Sequence, residues 1–409
     1  MIDQGECRIQ ARFRRQFLKE IGRQLLVQFF ERFSEDLAVK HIVLPAATME
    51  DDPYFQAMSR VAMLPDGLPE NLFEAIYAIE GMANDEGQER LERAVEQAGL
   101  PLTFSENSTK ADIAVQVWMA DPALFVQKLN EQRLVRLSAF EYFGSKASVD
   151  RRQSFTAPDQ AAISRITFDM DAWFRQHNRG EQTAHIEIYP IDGEFWFLIR
   201  HGDTFARMPK AAANRRVEVL HFRPTKDDVV VYSPVRDEIR IHTGTKGERE
   251  LYQETFGVRL FGDDKYFSER KAYTLEPLRT DALDALDTDG LPGISRVVLR
   301  EIEMAWDGGH NEVVIRKADD IFAAAADRVP ERDAIPQGAR LVRAAFDFYF
   351  GDCAKPRKVQ MRVPNILKLG RHCDAALVHQ WISARGFRVT VNSAPPRGGI
   401  THVEGVAMP

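Results

Sequence analysis

The chain of 409 residues is long enough for two or three domains, and its 44% hydrophobic and 28% charged residues are ordinary for a globular protein. It contains no run of about 18 apolar residues, so we expect no membrane-spanning helix. The N-terminal segment MIDQGECRIQARFRRQF lacks the apolar core of a secretory signal, and three irregularly spaced cysteines favour reduced thiols over a disulfide framework. These features predict a cytoplasmic protein without a membrane partner.

Charge is distributed unevenly along the chain, whose formal net charge is -7. Residues 50–100 contain twelve acidic side chains and three basic ones, whereas residues 351–409 contain nine basic side chains and three acidic ones. The 40 arginines against 14 lysines are typical of chains from GC-rich bacterial genomes. The two segments of opposite charge predict either mutual attraction or different partners.

The first third of the chain carries mainly helical signals. Apolar residues recur every four positions over residues 12–36, which predicts one long amphipathic helix. Its predicted buried stripe consists of Phe13, Phe17, Ile21, Leu25, Phe29 and Phe33. Further helices are predicted over residues 72–82, from Asp85 to Gly99, and from Asp121 onward. Residues 111–119, ADIAVQVWM, are predicted to form a strand.

Alternating apolar and polar residues dominate the centre of the chain. The segment from His185 to Gly202 predicts a tight β-hairpin, because Asp192 and Gly193 supply a turn between two alternating runs. We predict an α+β fold with a helical N-terminal part, a central antiparallel sheet and C-terminal β-hairpin-helix units. The predicted domains are residues 1–145, 158–275 and 276–409.

The order strand, turn, strand, helix occurs three times after the central hairpin. The three stretches begin with DDVVVYSP, SRVVLREIEMAW and ARLVRAAFDFYF. A hairpin with one helix buries too little apolar surface to be stable alone, so the copies should pack together. We interpret the pattern as a hairpin-helix repeat, and chance alternation in an α+β protein is the alternative.

Residues 197–204, FLIRHGDT, resemble the signature of the histidine phosphatase superfamily. In that family a strand delivers an Arg-His-Gly turn, the histidine becomes a phosphohistidine, and the arginine neutralises the phosphate. The resemblance implies that His201 is the nucleophile and that Arg200 binds phosphate. The alternative is that both residues belong to an ordinary strand end.

Metal and cofactor motifs are missing from the sequence. Cys353, His372, Cys373 and His379 occur near the C-terminus, but they lack the C-x-x-C or H-E-x-x-H spacing of zinc sites. Glycine-rich phosphate loops and the G-x-S-x-G motif do not occur. The sequence therefore predicts no metal and no cofactor.

The basic C-terminal segment carries the functional prediction. Its hairpin and helix need only one apolar face, which leaves basic side chains available to phosphates. The candidate nucleic-acid-binding residues are Lys355, Arg357, Lys358, Arg362, Lys368 and Arg371. We predict a cytoplasmic, non-enzymatic protein that binds nucleic acid or acts in regulation through this module.

Two alternatives accompany that prediction. The first is an interaction or adaptor subunit of a larger bacterial assembly, such as a sensor or defence complex, whose partner is another protein or a second copy of the chain. The second is a phosphohydrolase that acts through Arg200 and His201. Nucleic-acid binding would weaken in high salt, whereas a protein complex would be insensitive to nuclease.

Overall fold

The computed structural model describes residues 15–46, 48–62, 68–145, 155–212, 215–268, 272–306, 309–328, 334–351, 355–370 and 375–389. The chain forms two compact units, Met1–Arg136 and Leu137–Pro409. The finer division at residues 1–145, 158–275 and 276–409 stays a prediction.

The described part of the first unit is built from helices. In chain order they are α1 Arg15–Lys19, α2 Arg23–Glu31, α3 Ser34–Val39, α4 Asp51–Ala62, α5 Glu70–Met82, α6 Asp85–Ala98, α7 Lys110–Ala120 and α8 Pro122–Val135. The Asn84 side chain caps α6 by accepting a hydrogen bond from the Gly87 amide at 3.0 Å, and Gly99 ends the helix in a left-handed conformation. Asp121 caps α8. The helices predicted to begin at Asp85 and after Asp121 are confirmed.

The strand predicted over residues 111–119 is wrong, because these residues form α7. A capping box between Thr109 and Asp112 starts the helix. The helix contacts α2, α5, α6 and α8, so it is buried on several sides. Its buried residues are Ala111, Ile113, Ala114, Val115 and Val117. A helix surrounded by others is apolar all round, and such a sequence loses the helical period that would distinguish it from a strand.

The single long helix predicted over residues 12–36 is also wrong, because the chain breaks it into α1, α2 and α3. At the first break the Gly22 amide donates a hydrogen bond to the Asp112 carboxylate at 2.7 Å. The predicted stripe is therefore only partly buried. Its buried members are Ile21, Phe29 and Phe33, its half-buried members are Phe17 and Leu25, and Phe13 lies outside the described residues.

The second unit contains a sheet of ten strands and a separate ribbon of two. The strands are β1 Ala139–Gly144, β2 His185–Ile191, β3 Glu194–Gly202, β4 Ala206–Ala212, β5 Arg216–Phe222, β6 Thr225–Ser233, β7 Glu238–His242, β8 Ile294–Ala305, β9 Val313–Lys317, β10 Arg340–Phe350, β11 Arg357–Arg362 and β12 Ile366–Lys368. The large sheet is antiparallel, with the order β2-β3-β6-β7-β1-β12-β11-β10-β8-β9, and β4 pairs with β5. Strand β1 thus joins the central hairpins to the C-terminal ones.

The second unit also contains α-helices. In chain order they are α9 Gln160–Gln176, α10 Lys246–Phe256, α11 Pro277–Thr280, α12 Ile321–Ala326 and α13 Ala375–Ala384. Helices α9 and α10 share a core with β3, in which the rings of Phe197 and Phe256 lie 4.8 Å apart. Trp381 of α13 packs 5.0 Å from Phe348 of β10. The predicted α+β class, with its helical N-terminal part and antiparallel sheet, is confirmed. Within the described ranges, none of the helices has the length and apolar character needed to cross a membrane.

Candidate functional site

Five of the six predicted nucleic-acid-binding residues lie on or beside two neighbouring strands. Lys358 and Arg362 belong to β11, Lys368 ends β12, and Lys355 is exposed just before β11. Arg357 begins β11 and is half-buried. The structure therefore gathers these residues into one region of the sheet.

Strand register puts three of these side chains on one face of the sheet. Side chains alternate along a strand, so Lys358, Gln360 and Arg362 share a face. Lys368 is the registered partner of Gln360 and lies on that same face. Lys358, Arg362 and Lys368 are all exposed, and we call these three the basic face. Arg371 lies outside the described residues.

The acidic side chains on the adjoining strands are matched by other bases. Arg343 of β10 contacts Glu301 at 2.6 Å and Glu303 at 2.8 Å, and Lys317 of β9 contacts Glu301 at 2.8 Å. Within the described part of the chain, no member of the basic face makes an ion pair. Its three positive charges are therefore available to an external anion.

An aromatic side chain lies on the same side of the sheet as the basic face. Lys358 is registered with Asp347, and Tyr349 follows Asp347 by two positions on β10. The Arg296 guanidinium stacks over the Tyr349 ring, with its carbon 4.5 Å from the ring centroid. An exposed arginine on an aromatic ring offers a flat surface on which a nucleobase can stack.

A second group of polar side chains lies where β3, β6 and α10 meet. His201 is next to last in β3, Lys226 and Asp228 lie near the start of strand β6, and Glu248 lies in the first turn of α10. The side chains of His201, Asp228 and Glu248 are buried, and Lys226 is half-buried. We call these four residues the buried polar cluster.

Hydrogen bonds and ion pairs hold the buried polar cluster together. Oδ2 of Asp228 lies 3.1 Å from Nε2 of His201 and accepts hydrogen bonds from the hydroxyls of Tyr252 at 2.7 Å and Thr243 at 2.9 Å. The Lys226 ammonium lies 3.3 Å from Oδ1 of Asp228 and also contacts the glutamate of the cluster. Each carboxylate of the cluster therefore has several partners.

These contacts set the ionisation of Asp228 and Tyr252. Burial alone would raise the pKa of Asp228, but the His201 hydrogen bond, the Lys226 charge and the Tyr252 hydrogen bond together lower this pKa below its ordinary value. Burial, followed by the negative charge of Asp228, raises the pKa of Tyr252 well above its ordinary value. Asp228 is thus ionised at neutral pH, and Tyr252 is a neutral donor.

Both ring nitrogens of His201 face oxygen acceptors. Nδ1 lies 2.9 Å from the carbonyl oxygen of Gly202, and Nε2 faces the ionised Asp228. Phe174 of α9 stacks against the ring at a centroid distance of 4.2 Å. The imidazole is therefore enclosed and fully engaged.

The two residues of the phosphatase resemblance lie on opposite faces of the sheet. Neighbouring side chains of a strand alternate, so His201 faces α9 whereas Arg200 points to the other side. There the Arg200 guanidinium contacts Glu187 of β2 at 2.7 Å. The structure does not bring the predicted nucleophile and the predicted phosphate ligand to one point.

The buried polar cluster also has the residue types of a metal site. His201, Asp228 and Glu248 offer ligand atoms within 4.8 Å of one another. The Lys226 ammonium already lies against both carboxylates, where it supplies the positive charge that a cation would bring. The arrangement is an internal ion-pair network. Removing one partner from such a network leaves an uncompensated buried charge, which destabilises the fold.

Of the buried polar cluster, only His201 is a candidate site residue in the sequence. One local signal was available, because Thr245 and Glu248 have the spacing of a capping box, and the Thr245 hydroxyl does accept from the Glu248 amide. That signal places Glu248 in the first turn of a helix. Nothing local indicates that the turn meets His201, since their contact depends on how β3, β6 and β7 pair.

Comparison with known proteins assigns the chain to no family. No family model matches its sequence, and no curated protein matches it. The choice between the basic face and the buried polar cluster as the functional site therefore depends on their geometry. The basic face is exposed and carries unmatched charge, whereas the buried polar cluster is enclosed and internally paired.

Proposed function

We propose that the protein is a non-enzymatic regulatory protein of the bacterial cytoplasm that binds nucleic acid through the basic face. The observation that supports this most is that Lys358, Arg362 and Lys368 share one exposed sheet face and make no ion pair within the described residues. Holding three like charges together opposes folding, and an anionic ligand would relieve their repulsion.

A nucleic-acid backbone is the anion that suits this surface. A phosphate chain presents regularly spaced charges, and each basic side chain that contacts it releases condensed counterions. Along β11 the basic positions are separated by four residues, or roughly 13 Å. A surface of this length fits an extended polyanion better than a small anion. The Arg296 and Tyr349 stack on the same side adds a contact for a base.

The test is a binding titration at several salt concentrations with the Lys358→Glu, Arg362→Glu, Lys368→Glu triple variant. We expect the parent to bind, and we expect the slope of log affinity against log salt to fall by roughly 0.9 for each lost contact to duplex DNA or roughly 0.7 for a single strand. The matched control is Arg165→Glu, Arg175→Glu, Lys265→Glu, which makes the same charge change at three exposed positions away from the basic face.

Two results would contradict this proposal. The parent could show no binding even at low salt, or the triple variant and the control could lower affinity equally, which would reflect net charge alone. A stable complex that survives nuclease and high salt would instead support the adaptor alternative, with a protein partner or a second copy of the chain.

A further inference from the structure

The β4–β5 ribbon is an exposed arm of the second unit. We use the word arm for residues 206–222, in which β4 and β5 pair with each other. Every described residue of the arm is exposed or half-buried. Apolar side chains are among them, since Val217 is 73% exposed and Met208 is 54% exposed. A two-stranded ribbon with both faces in water is only marginally stable. We therefore expect a binding partner to stabilise this arm.

The base of the arm is firmly attached to the sheet. The Asp203 amide donates a hydrogen bond to the Pro224 carbonyl at 2.7 Å. This bond joins the segment that leads into β4 to the segment that follows β5. The Arg223 guanidinium donates to the carbonyl of Asn178 at 2.7 Å. Gly202 permits this close approach, because a Cβ atom there would lie 2.2 Å from the carbonyl oxygen of Arg179. The arm therefore projects from a fixed base.

The charge of the arm favours an anionic partner. The arm contains four arginine or lysine residues and one acidic residue, Glu218. The basic residues are Arg207, Lys210, Arg215 and Arg216, and all four are exposed. Within the described ranges, none of these four makes an ion pair. Their charges are therefore open to phosphates, as are those of the basic face.

The topology sets the arm and part of the basic face at one end of the sheet. Gly202 of β3 is paired with Thr225 of β6, so the arm leaves the sheet there. The antiparallel pairings from β6 through β7, β1 and β12 to β11 bring Lys368 and Lys358 to that same end. Four strand spacings separate β6 from β11, which corresponds to roughly 19 Å. One extended polyanion can reach both.

We propose that the arm enters the major groove of duplex DNA while the basic face contacts the phosphate backbone nearby. This inference rests on the proposed function and adds the class of nucleic acid and the element that reads it. Two strands about 4.8 Å apart, with their side chains, fill a groove about 12 Å wide. The arginine and lysine side chains can donate hydrogen bonds to phosphates and guanines. Val217 and Val219 can make apolar contacts with the methyl groups of thymine.

Duplex RNA is excluded as the preferred ligand by the shape of its grooves. The A-form major groove is deep and narrow, so a two-stranded ribbon does not enter it. A second copy of the chain is the other conceivable occupant. The positive charge of two arms opposes their pairing, and Pro209 removes a backbone donor from β4, so DNA is the better match.

The experiment compares the full-length parent with three variants. The arm variant is Arg207→Glu, Lys210→Glu, Arg216→Glu. The basic-face variant is the triple variant of Lys358, Arg362 and Lys368, and the surface control is the triple variant of Arg165, Arg175 and Lys265, both described above. The probes are a duplex DNA of about two helical turns, the same duplex with guanine N7 methylated, duplex RNA of equal length and one DNA strand. We expect the parent to favour unmodified duplex DNA over duplex RNA by about tenfold or more. The arm variant should lose this preference and should ignore N7 methylation, which blocks the major groove.

The possible failures are distinguishable. If the arm variant binds duplex DNA like the parent while the basic-face variant does not, the arm inference is wrong and the proposed function stands. If the parent binds none of the probes, both are wrong. If light scattering shows a dimer that the arm variant lacks and DNA binding is unchanged, the occupant is a second copy. Circular dichroism checks that each variant is folded.

Discussion

Arg200 and His201 are adjacent in the chain, yet strand alternation directs them to opposite faces of the sheet. Nδ1 of His201 lies against the Gly202 carbonyl and Nε2 against Asp228, and the side chain of His201 is 0% exposed. A phosphohistidine requires a ring nitrogen with a free lone pair facing the substrate. Both nitrogens of His201 face protein oxygens inside the core, so neither nitrogen is presented to a substrate.

We therefore predict that the protein does not hydrolyse an activated phosphate ester. The measurement is release of nitrophenol from p-nitrophenyl phosphate by the purified parent, with His201→Ala as the comparison. Both should give only the background rate, and His201→Ala should also lower the melting temperature because it removes two buried hydrogen bonds. Turnover by the parent that disappears in His201→Ala would make the protein an enzyme and reverse this interpretation.

Asp228 determines how the buried polar cluster responds to acid. Its pKa is lower in the folded protein than the ordinary value of 3.8. The carboxylate therefore stabilises the folded state fully above that ordinary value, and this contribution is lost as the pH falls through the lower folded pKa. Asp228→Asn removes the charge at every pH and takes one of the two carboxylate partners from the Lys226 ammonium.

The prediction is that Asp228→Asn lowers the free energy of unfolding by roughly 3 kcal/mol near neutral pH, the scale of breaking a buried ion pair. The difference between parent and variant should shrink as the pH is lowered below about 4, because the parent then loses the same charge. Denaturant unfolding at about pH 5 and about pH 3 measures both values. A difference that is constant or grows toward acid would show that folding does not lower the pKa of Asp228.

At the level of elements, local signals were sufficient wherever one face of an element meets water. The hairpin of β2 and β3 follows from alternation around Asp192 and Gly193, and both residues have the positive φ that the turn requires. Helix α6 was predicted from Asp85 to Gly99, and the structure caps it at Asn84 and ends it at Gly99. Such elements display their period because the buried and the solvated sides differ in composition.

Local signals failed where an element is buried all round or exposed all round. Helix α7 is apolar on all sides, so its sequence imitates a strand, and only the capping box at Thr109 indicates its true state. The arm is the opposite case, since both faces of β4 and β5 are in water. Within the described residues, neither face of the ribbon packs into a hydrophobic core. No local pattern predicts that β4 and β5 pair with each other away from the large sheet.

At the scale of the whole molecule, the pairing of β1 is the feature that no local pattern predicts. Residues 139–144 lie directly after the helical unit, yet they pair with β7 on one side and β12 on the other. The Tyr142 amide donates to the Asn365 carbonyl at 2.9 Å, and the Asn365 amide group donates back to the Tyr142 carbonyl at 3.2 Å. Contacts between such distant segments depend on tertiary packing, so periodicity carries no information about them. The basic face was predictable as a charge cluster, whereas its place in one long sheet was not.

The central position of β1 leads to a prediction about folding. Without β1 the edges of β7 and β12 would be left unpaired, and the buried rings of Phe140 and Phe143 would be lost from the core. A fragment of residues 137–409 should therefore unfold in one cooperative transition, whereas residues 155–409 should show a broad transition or aggregate. Denaturant unfolding followed by tryptophan fluorescence and by circular dichroism measures this.

The matched control for this prediction keeps β1 and carries Phe143→Ala. This substitution should lower the midpoint by an amount corresponding to about 3 to 5 kcal/mol while preserving a single transition. Equal midpoints and slopes for the two fragments would mean that the central and C-terminal hairpins fold as separate domains joined by a dispensable strand, as the division at residues 158–275 and 276–409 supposes.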